Sequence, residues 1–340
     1  MTVDPRTVLV PGVPAGIGSL PHLDPGDAAA SVLDLTPELA AAPQLPQRSP
    51  YEGMLAQVAL GMPGVTVERD GSLDVGRRFG PVDRGAPLDV DAWGGTLAFL
   101  DACSAVDRRA PIKLQITGPL TFGLSLLAAG GAKPSKAFSV AAATVDARVR
   151  ALVDLARHRV PKAPVLLVLD EPWLVATDDP SFPLPLEQVI DLLSGALASA
   201  TASGASVTGI HCCGPADWTL VLHAGPDLVS TPATLHLLQD AASIAVFLER
   251  GGWIAWGVVP TDRPLGSRSD PYWRNLNEVW ADLTRAGCDP VAIRTSALLT
   301  PTCGLAFHRP EQVPEVMGLV RAVADRVHDQ AIAVRMSAGA

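Results

Sequence analysis

Two thiols and one imidazole stand out in this sequence because their types and spacing suit a metal ion. His211 and Cys213 lie two positions apart at the end of an apolar β-type run, and Cys303 ends a second such run. In a strand, residues two apart face the same side, so Cys212 faces the other. If the two strand ends are neighbours, one nitrogen and two sulfur ligands converge. That set suits Zn²⁺ and leaves its fourth position open, as in catalytic sites.

The alternative is that these cysteines are only small buried apolar residues. A glycine, Gly214 or Gly304, follows each ligand segment, as where a strand leaves a sheet for a loop, and this position favours a metal. Two thiolates cancel the charge of Zn²⁺ and weaken its ability to activate water. Such a site is better suited to binding a substrate thiol as a nucleophilic thiolate. The residues therefore favour transfer of an alkyl group to a thiol.

Composition narrows the class of protein. The chain has 340 residues, 48% of them apolar, and a net charge of -9. The negative charge argues against nucleic acid and anionic membranes as partners. Five cysteines at uneven spacing do not indicate a disulfide framework. The first 16 residues lack a signal-peptide pattern, and no apolar run reaches the length of a membrane span. We expect a cytoplasmic protein.

Strand and helix patterns alternate along the chain. Eight strand–helix units in this length predict an α/β fold, a (β/α)₈ TIM barrel, with residues 1–340 as one catalytic domain. The alternative, an open doubly wound sheet, lacks a Gly-x-Gly-x-x-Gly fingerprint after an early strand. The predicted strands lie at 16–21, 41–44, 112–116, 165–169, 205–210, 227–230, 253–259 and 296–300.

A β-hairpin is predicted between the second and third strands. Two short β-type segments flank Asp70-Gly71, a strong turn signal, so an excursion from the barrel is expected around residues 64–76.

Unusual polar residues follow the predicted strands where they end. Barrel enzymes keep their chemistry at the carboxyl ends of the strands, so this placement predicts an active site there. The residues are Ser19, Arg48, Asp170, His211, Cys213 and Cys303.

Several short motifs together resemble the cobalamin-independent methionine synthase and uroporphyrinogen decarboxylase-like barrel superfamily. The resemblance extends from Ile17 to about Leu305 and corresponds to the synthase's catalytic half. The similar segments are Ile17-Gly18-Ser19-Leu20-Pro21, Thr117-Gly118-Pro119-Leu120-Thr121, Leu169-Asp170-Glu171-Pro172, His211 with Cys213, and Cys303-Gly304-Leu305.

The resemblance implies a role for each matching position. His211, Cys213 and Cys303 match zinc ligands, and Asp170 matches an aspartate that holds the amino group of homocysteine. The segment Ile17, Gly18 and Ser19 looks like a loop that binds the substrate backbone, and Gly118 lies in the loop after the third strand. The implied reaction is methylation of homocysteine to methionine.

Other positions depart from the family pattern. The family's fourth zinc ligand is a glutamate after the sixth strand, where this chain has Thr231-Pro232. A second glutamate that contacts the homocysteine amine is replaced near Arg48, a candidate substrate contact. The family's folate-stacking tryptophan is absent, with Leu124-Ser125 in its place. The remaining ligands also match corrinoid-protein methyltransferases of the superfamily.

Alternatives therefore remain for residues and for function. Asp170 is a candidate catalytic or substrate-binding residue, or a structural acid. His22 is a candidate general acid, or an ordinary loop histidine, and Arg48 is alternatively a surface ion-pair partner. We expect a small-molecule thiol and a methyl donor as partners, and a corrinoid protein is one candidate for the donor. The other functions considered are a corrinoid-linked methyltransferase acting on another thiol, an idle zinc- or thiol-binding barrel and, least favoured, a decarboxylase.

Overall fold

Eight parallel strands form the centre of the molecule in the computed structural model, which describes residues 4–130 and 132–338. Their order in the sheet is β1-β10-β9-β8-β7-β6-β5-β2. The strands, including a separate hairpin, are β1 (Val13–Pro14), β2 (Ala40–Ala41), β3 (Val65–Val67), β4 (Leu73–Val75), β5 (Ile112–Thr117), β6 (Val165–Asp170), β7 (Val207–His211), β8 (Leu228–Pro232), β9 (Trp253–Val259) and β10 (Ala297–Pro301).

The two ends of this sheet meet just beyond β1 and β2. Ser19 and Gln44 form an isolated parallel bridge, in which the Leu20 amide donates to the Gln44 carbonyl at 2.9 Å and the Gln44 amide to the Gly18 carbonyl at 3.1 Å. The bridge closes the sheet into a ring. The predicted (β/α)₈ barrel is confirmed.

The first two strands differ from the prediction. β1 lies before the predicted segment 16–21, and β2 ends at Ala41, short of the predicted 44. Pro43 has no N–H to donate to a ladder, and Gly18 has a φ of +145°, so neither segment pairs continuously. Only the single bridge forms between them. Irregular backbone therefore lies at the mouth of the barrel.

Helices connect the strands and cover the outside of the barrel. The α1 helix begins where the sequence indicates, with Asp24 accepting from the Asp27 amide at the N-cap. The helices are α1 (Pro25–Leu35), α2 (Met54–Ala59), α3 (Val90–Ala105), α4 (Pro119–Gly130), α5 (Pro134–Arg159), α6 (Leu186–Ser203), α7 (Trp218–His223), α8 (Ala241–Glu249), α9 (Asp270–Arg285), α10 (Pro290–Thr295) and α11 (Gln312–Ala338), with 3₁₀ turns at Pro5–Thr7, Pro50–Glu52, Pro172–Ala176 and Leu235–Asp240.

The excursion is an antiparallel hairpin of β3 and β4, as predicted between the second and third barrel strands. It pairs with no barrel strand. No helix among residues 4–130 and 132–338 is long and apolar enough to cross a membrane.

Side chains alternate between two apolar layers along the barrel strands. One cluster faces inward and contains, among others, Leu166, Val168, Val207, Leu228 and Trp253. The residues between them belong to a second, larger cluster that packs against the helices. Strands β6 to β9 are paired in register, so residues at the same level of neighbouring strands face the same layer. Polar side chains that continue the inner layer at the strand ends therefore face into the barrel mouth.

Candidate metal centre

His211, Cys213 and Cys303 meet at the barrel mouth. One ligand atom from each of these residues lies within 4.8 Å of the other two. His211 is the last residue of β7, Cys213 follows two residues later, and Cys303 lies just after β10. The strands are not neighbours in the sheet, so only barrel curvature brings the three side chains together.

The imidazole of His211 is oriented by the neighbouring strand. His211 pairs with Ser230 in register, and its Nδ1 lies 2.9 Å from the Ser230 Oγ. Nε2 is buried without a conventional hydrogen-bond partner among the described residues. If Nδ1 carries the proton toward the hydroxyl, Nε2 offers its lone pair to a metal. Metal-ligating histidines are commonly fixed in this way.

The two thiols interact directly. A hydrogen bond from Cys303 lowers the pKa of Cys213, while the same bond and burial raise the pKa of Cys303. One thiol therefore releases its proton before the other. A soft divalent cation would replace that shared proton, because it binds both sulfurs as thiolates.

Cys212 faces away from this cluster, as its position in the strand predicts. Its side chain is fully buried in the outer apolar layer, with Sγ 3.7 Å from the Gly214 carbonyl. Burial raises the pKa of Cys212 to about 11. Cys212 is thus placed as a buried apolar residue and not as a ligand.

The carboxyl end of β8 has no carboxylate beside the three ligands. Thr231 and Pro232 end this strand, where the family pattern has a glutamate. Among the described residues, the cluster of candidate ligands has only three members. The donor set therefore fits zinc with one position left for another molecule.

Asp170 lies next to this cluster, since it ends β6 and pairs in register with His211. It is 8% exposed, and its Oδ1 has no hydrogen-bond partner among the described residues. Burial raises the pKa of Asp170, and the nearby His211 and Lys113 oppose that rise. A buried carboxylate oxygen without a partner is costly, so this position suits a cationic ligand group.

The loop Ile17–Ser19 lies between this interior and the Cys303 loop. The carbonyls of Ile17, Gly18 and Ser19 accept from the Lys113 Nζ, the Gln44 amide and the Leu305 amide, respectively. The amides of Gly18 and Ser19 have no acceptor within the described part of the chain. Amides without a protein acceptor are potential donors to a carboxylate, and the substrate-binding role of the loop stays a prediction.

Arg48 is an ion-pair partner in the structure. It pairs with Glu52 at 2.5 Å, and the buried Glu52 carboxylate also accepts from the Leu45 and Gly95 amides. Burial raises the pKa of Glu52, with hydrogen bonds to Leu45 and the charge of Arg48 opposing it. This pairing is the alternative considered from sequence. Contact between Arg48 and a substrate stays a prediction.

Close packing against Glu171 requires a glycine at position 118. A Cβ at this position would lie 2.1 Å from the Glu171 Oε1. Glu171 is fully buried and accepts from the Leu120 amide at 2.9 Å and the Thr121 amide at 2.7 Å, at the start of α4. Glu171 thus faces backbone amides on the helix side of the strand. Binding of a substrate by Gly118 stays a prediction.

His22 follows the first-strand loop and is partly buried. Its Nδ1 is buried without a partner among the described residues, and burial lowers the pKa of His22 while Asp27 opposes this. The role of His22 as a general acid stays a prediction.

Sequence reasoning did not identify three of the residues around the site. Lys113 and Gln115 are buried inside the barrel, and Ser230 orients His211. For Lys113 and Gln115 the available signal was their alternation with apolar residues in the predicted strand 112–116, which places both side chains on the same face. For Ser230 there was no local signal, since its role depends on the β7–β8 register.

Comparison with known proteins supports the fold. No family model matches the chain, and a search of curated proteins finds no match. Among solved structures, a B12-independent methionine synthase from Shewanella sp. W3-18-1 in complex with selenomethionine superposes with a TM-score of 0.62 at 14% identity, covering 96% of this chain and 100% of that one. A putative vitamin-B12 independent methionine synthase from Listeria monocytogenes superposes with a TM-score of 0.57 at 14% identity, covering 90% and 85%. The sequence resemblance is thus confirmed at the level of the fold.

Proposed function

We propose that this protein is a zinc-dependent methyltransferase that methylates a thiol, with homocysteine as the acceptor. The observation that carries the proposal is the convergence of His211, Cys213 and Cys303 without a fourth protein ligand among the described residues. The shared fold with methionine synthases agrees with it. The selenomethionine in the Shewanella complex is close in shape to the expected product.

The residues present fit zinc by their chemistry. The imidazole of His211 and two thiols that are hydrogen-bonded to each other form a borderline-soft donor set. When bound there, zinc would hold the acceptor sulfur as a thiolate and, because two thiolates neutralise the metal charge, leave that sulfur nucleophilic.

The protein's own residues would bind the rest of the acceptor. Asp170, whose Oδ1 has no hydrogen-bond partner among the described residues, would accept from the amino group of homocysteine. The amides of Gly18 and Ser19, which have no acceptor in the described part of the chain, would donate to its carboxylate. These contacts would align the sulfur with the methyl carbon of the donor at roughly 3 to 3.5 Å. The acceptor thiolate then forms a bond to the methyl carbon as the bond between the donor and that carbon breaks. The electron pair of the broken bond stays with the donor.

X-ray absorption at the zinc edge tests this proposal. We expect an added zinc–sulfur contact at about 2.3 Å when homocysteine is present. 4-Mercaptobutyrate, which lacks the amino group, is the matched probe for Asp170. Asp170→Asn should weaken homocysteine binding and leave 4-mercaptobutyrate nearly unaffected. An unchanged zinc spectrum with homocysteine would contradict the acceptor assignment.

The second candidate is a methyltransferase that takes its methyl group from a corrinoid protein and passes it to another thiol. Large exposed apolar side chains in loops after three barrel strands favour a bulky donor: Trp173, Leu235 and Phe307. A screen of other thiols in the same absorption experiment separates the two candidates. A spectrum that changes with another thiol but not with homocysteine would favour the second.

A further inference from the structure

Two polar side chains on β5 point into the apolar interior of the barrel. Lys113 is 5% exposed and Gln115 is 2% exposed. Their register partners on β6 are Leu166 and Val168, both members of the inner apolar cluster. Burial lowers the pKa of Lys113 to about 8, with Asp170 opposing. A buried ammonium group is costly, so its contacts must compensate for lost hydration.

Those contacts converge on the loop Ile17–Ser19. The Lys113 Nζ donates to the Ile17 carbonyl and, at 3.2 Å, to the Gln115 Oε1. Gln115 in turn donates from Nε2 to the Ala42 carbonyl at 2.6 Å. A Cβ on Gly18 would lie 2.3 Å from that same Nε2. The loop backbone thus rests directly on the two side chains.

The bond to Ile17 determines where the next amide points. The Ile17 carbonyl and the Gly18 amide belong to one planar trans peptide and point in opposite directions. With the carbonyl held inward by Lys113, the Gly18 N–H points away from the Lys113 Nζ. Gly18 has a φ of +145°, a region where glycine is tolerated, and a peptide next to glycine can rotate readily once it is released.

The same loop contacts the metal-ligand segment. The Ser19 carbonyl accepts from the Leu305 amide at 2.7 Å, and a Cβ on Gly304 would lie 1.8 Å from the Ser19 Oγ. Cys303 is the adjacent residue. Lys113 is thereby connected to the ligand segment through one short loop.

We propose that Lys113, supported by Gln115, is a positioning residue that holds the Ile17–Gly18 peptide so that its amide binds the carboxylate of the acceptor. This inference rests on the proposed function and narrows the substrate class to thiols that carry a carboxylate. Lys113 touches neither the sulfur nor the donor. It acts through the orientation of one peptide.

The test compares two thiols in wild type and in Lys113→Met, which keeps side-chain length and removes the donor. Homocysteine carries the carboxylate, and 3-aminopropanethiol is the same molecule without it. Lys113→Met should weaken homocysteine binding at least about tenfold, the size expected for losing one hydrogen bond to a charged group. Both thiols carry the amino group that Asp170 would bind, so an effect through Asp170 should be common to both, and the affinity for homocysteine should fall at least about tenfold more than that for 3-aminopropanethiol. The zinc content should stay near wild type.

Two further variants serve as controls. Lys113→Gln retains an N–H donor and should restore part of the preference for homocysteine. Lys162→Met removes an exposed lysine that pairs with Asp107, and should change neither affinity.

A measurement on wild type does not depend on how the variants fold. In ¹⁵N-glycine-labelled protein, the Gly18 amide resonance should shift with homocysteine and much less with 3-aminopropanethiol. Equal loss of both affinities in Lys113→Met, or equal Gly18 shifts with both thiols, would overturn the positioning role and leave the acceptor assignment standing. If wild type binds neither thiol, both proposals fail together.

Discussion

At the residue scale, each candidate ligand is set by a different contact. Ser230 orients His211, Cys303 shares a hydrogen bond with Cys213, and Ser19 packs against the glycine next to Cys303. Each of these contacts restricts the side chain or loop that carries a candidate ligand. Preorganised ligands lose less side-chain entropy on binding, which favours tight retention of the ion.

Substitution of the cysteines tests this assignment directly. Cys213→Ser or Cys303→Ser should abolish retention of zinc, because a neutral hydroxyl is a poor replacement for a thiolate ligand. Metal content after dialysis is the measurement. Cys212→Ser is the matched control and should retain about one zinc per chain, since its side chain lies in the outer layer. Loss of zinc from all three variants to the same extent would contradict the ligand set.

At the element scale, the start of α4 depends on a residue from another strand. Pro119 occupies the first helical position, and Glu171 accepts from the next two amides. A carboxylate there also interacts favourably with the helix dipole. The close approach requires Gly118, because any Cβ would meet the Glu171 carboxylate. These hydrogen bonds connect the loop after β5 to the end of β6.

Glu171 makes the stability of the fold depend on pH. Burial raises its pKa from 4.5 to about 7, so the folded state holds this proton more tightly than the unfolded state does. Its contribution is therefore full below about pH 4.5 and is lost as the pH rises through about 7. The Glu171→Gln variant has no ionisable carboxyl group at this position. The stability difference between wild type and Glu171→Gln should shrink by up to about 3 kcal/mol over this range, at about 1.4 kcal/mol per pKa unit.

Urea unfolding of metal-free protein between pH 4.5 and 8 measures this difference. Glu187→Gln is the matched control, because Glu187 also lies in the first turn of a helix, α6, but is exposed. A difference for Glu171→Gln that stays constant with pH would show that the carboxyl titrates normally.

At the scale of the whole molecule, the barrel mouth bears on which methyl donor the proposed methyltransferase would accept. Phe122 is fully buried on α4, so it cannot offer an aromatic face. The tertiary structure instead brings the 50% exposed Trp173 beside this loop, where its amide donates to the Thr121 Oγ1 at 3.3 Å. The loop after β5 offers no aromatic surface, and Trp173 in the loop after β6 supplies one.

We predict that methyl-folate is a poor donor for this protein. Trp173 offers one aromatic face for a pterin, but a net charge of -9 does not favour the polyglutamate tail of a folate. Methionine formation from homocysteine should be slow with methyl-tetrahydrofolate polyglutamate and faster with a methylated corrinoid protein. Initial rates with each donor are the measurement. Efficient folate turnover that is lost in Trp173→Ala would contradict this and assign the pterin to Trp173.

Local sequence patterns determined the type of fold and the members of the candidate metal site. The strand 253–259 was predicted with its observed bounds, because strands buried on both faces are continuous apolar runs. The spacing of His211 and Cys213 determined that they share a face and that Cys212 does not. Both properties depend only on residues close together in the chain.

Tertiary structure alone decided how distant segments meet. The convergence of Cys303 with His211 requires barrel curvature, and the α4 cap requires Glu171 from the next strand. The burial of Lys113 beneath Ile17 joins residues far apart in sequence. Local periodicity specifies which side of an element a residue faces but not what lies opposite. Closure of the sheet supplies that partner, and for this reason the contacts that support the loop Ile17–Ser19 were not predictable from sequence.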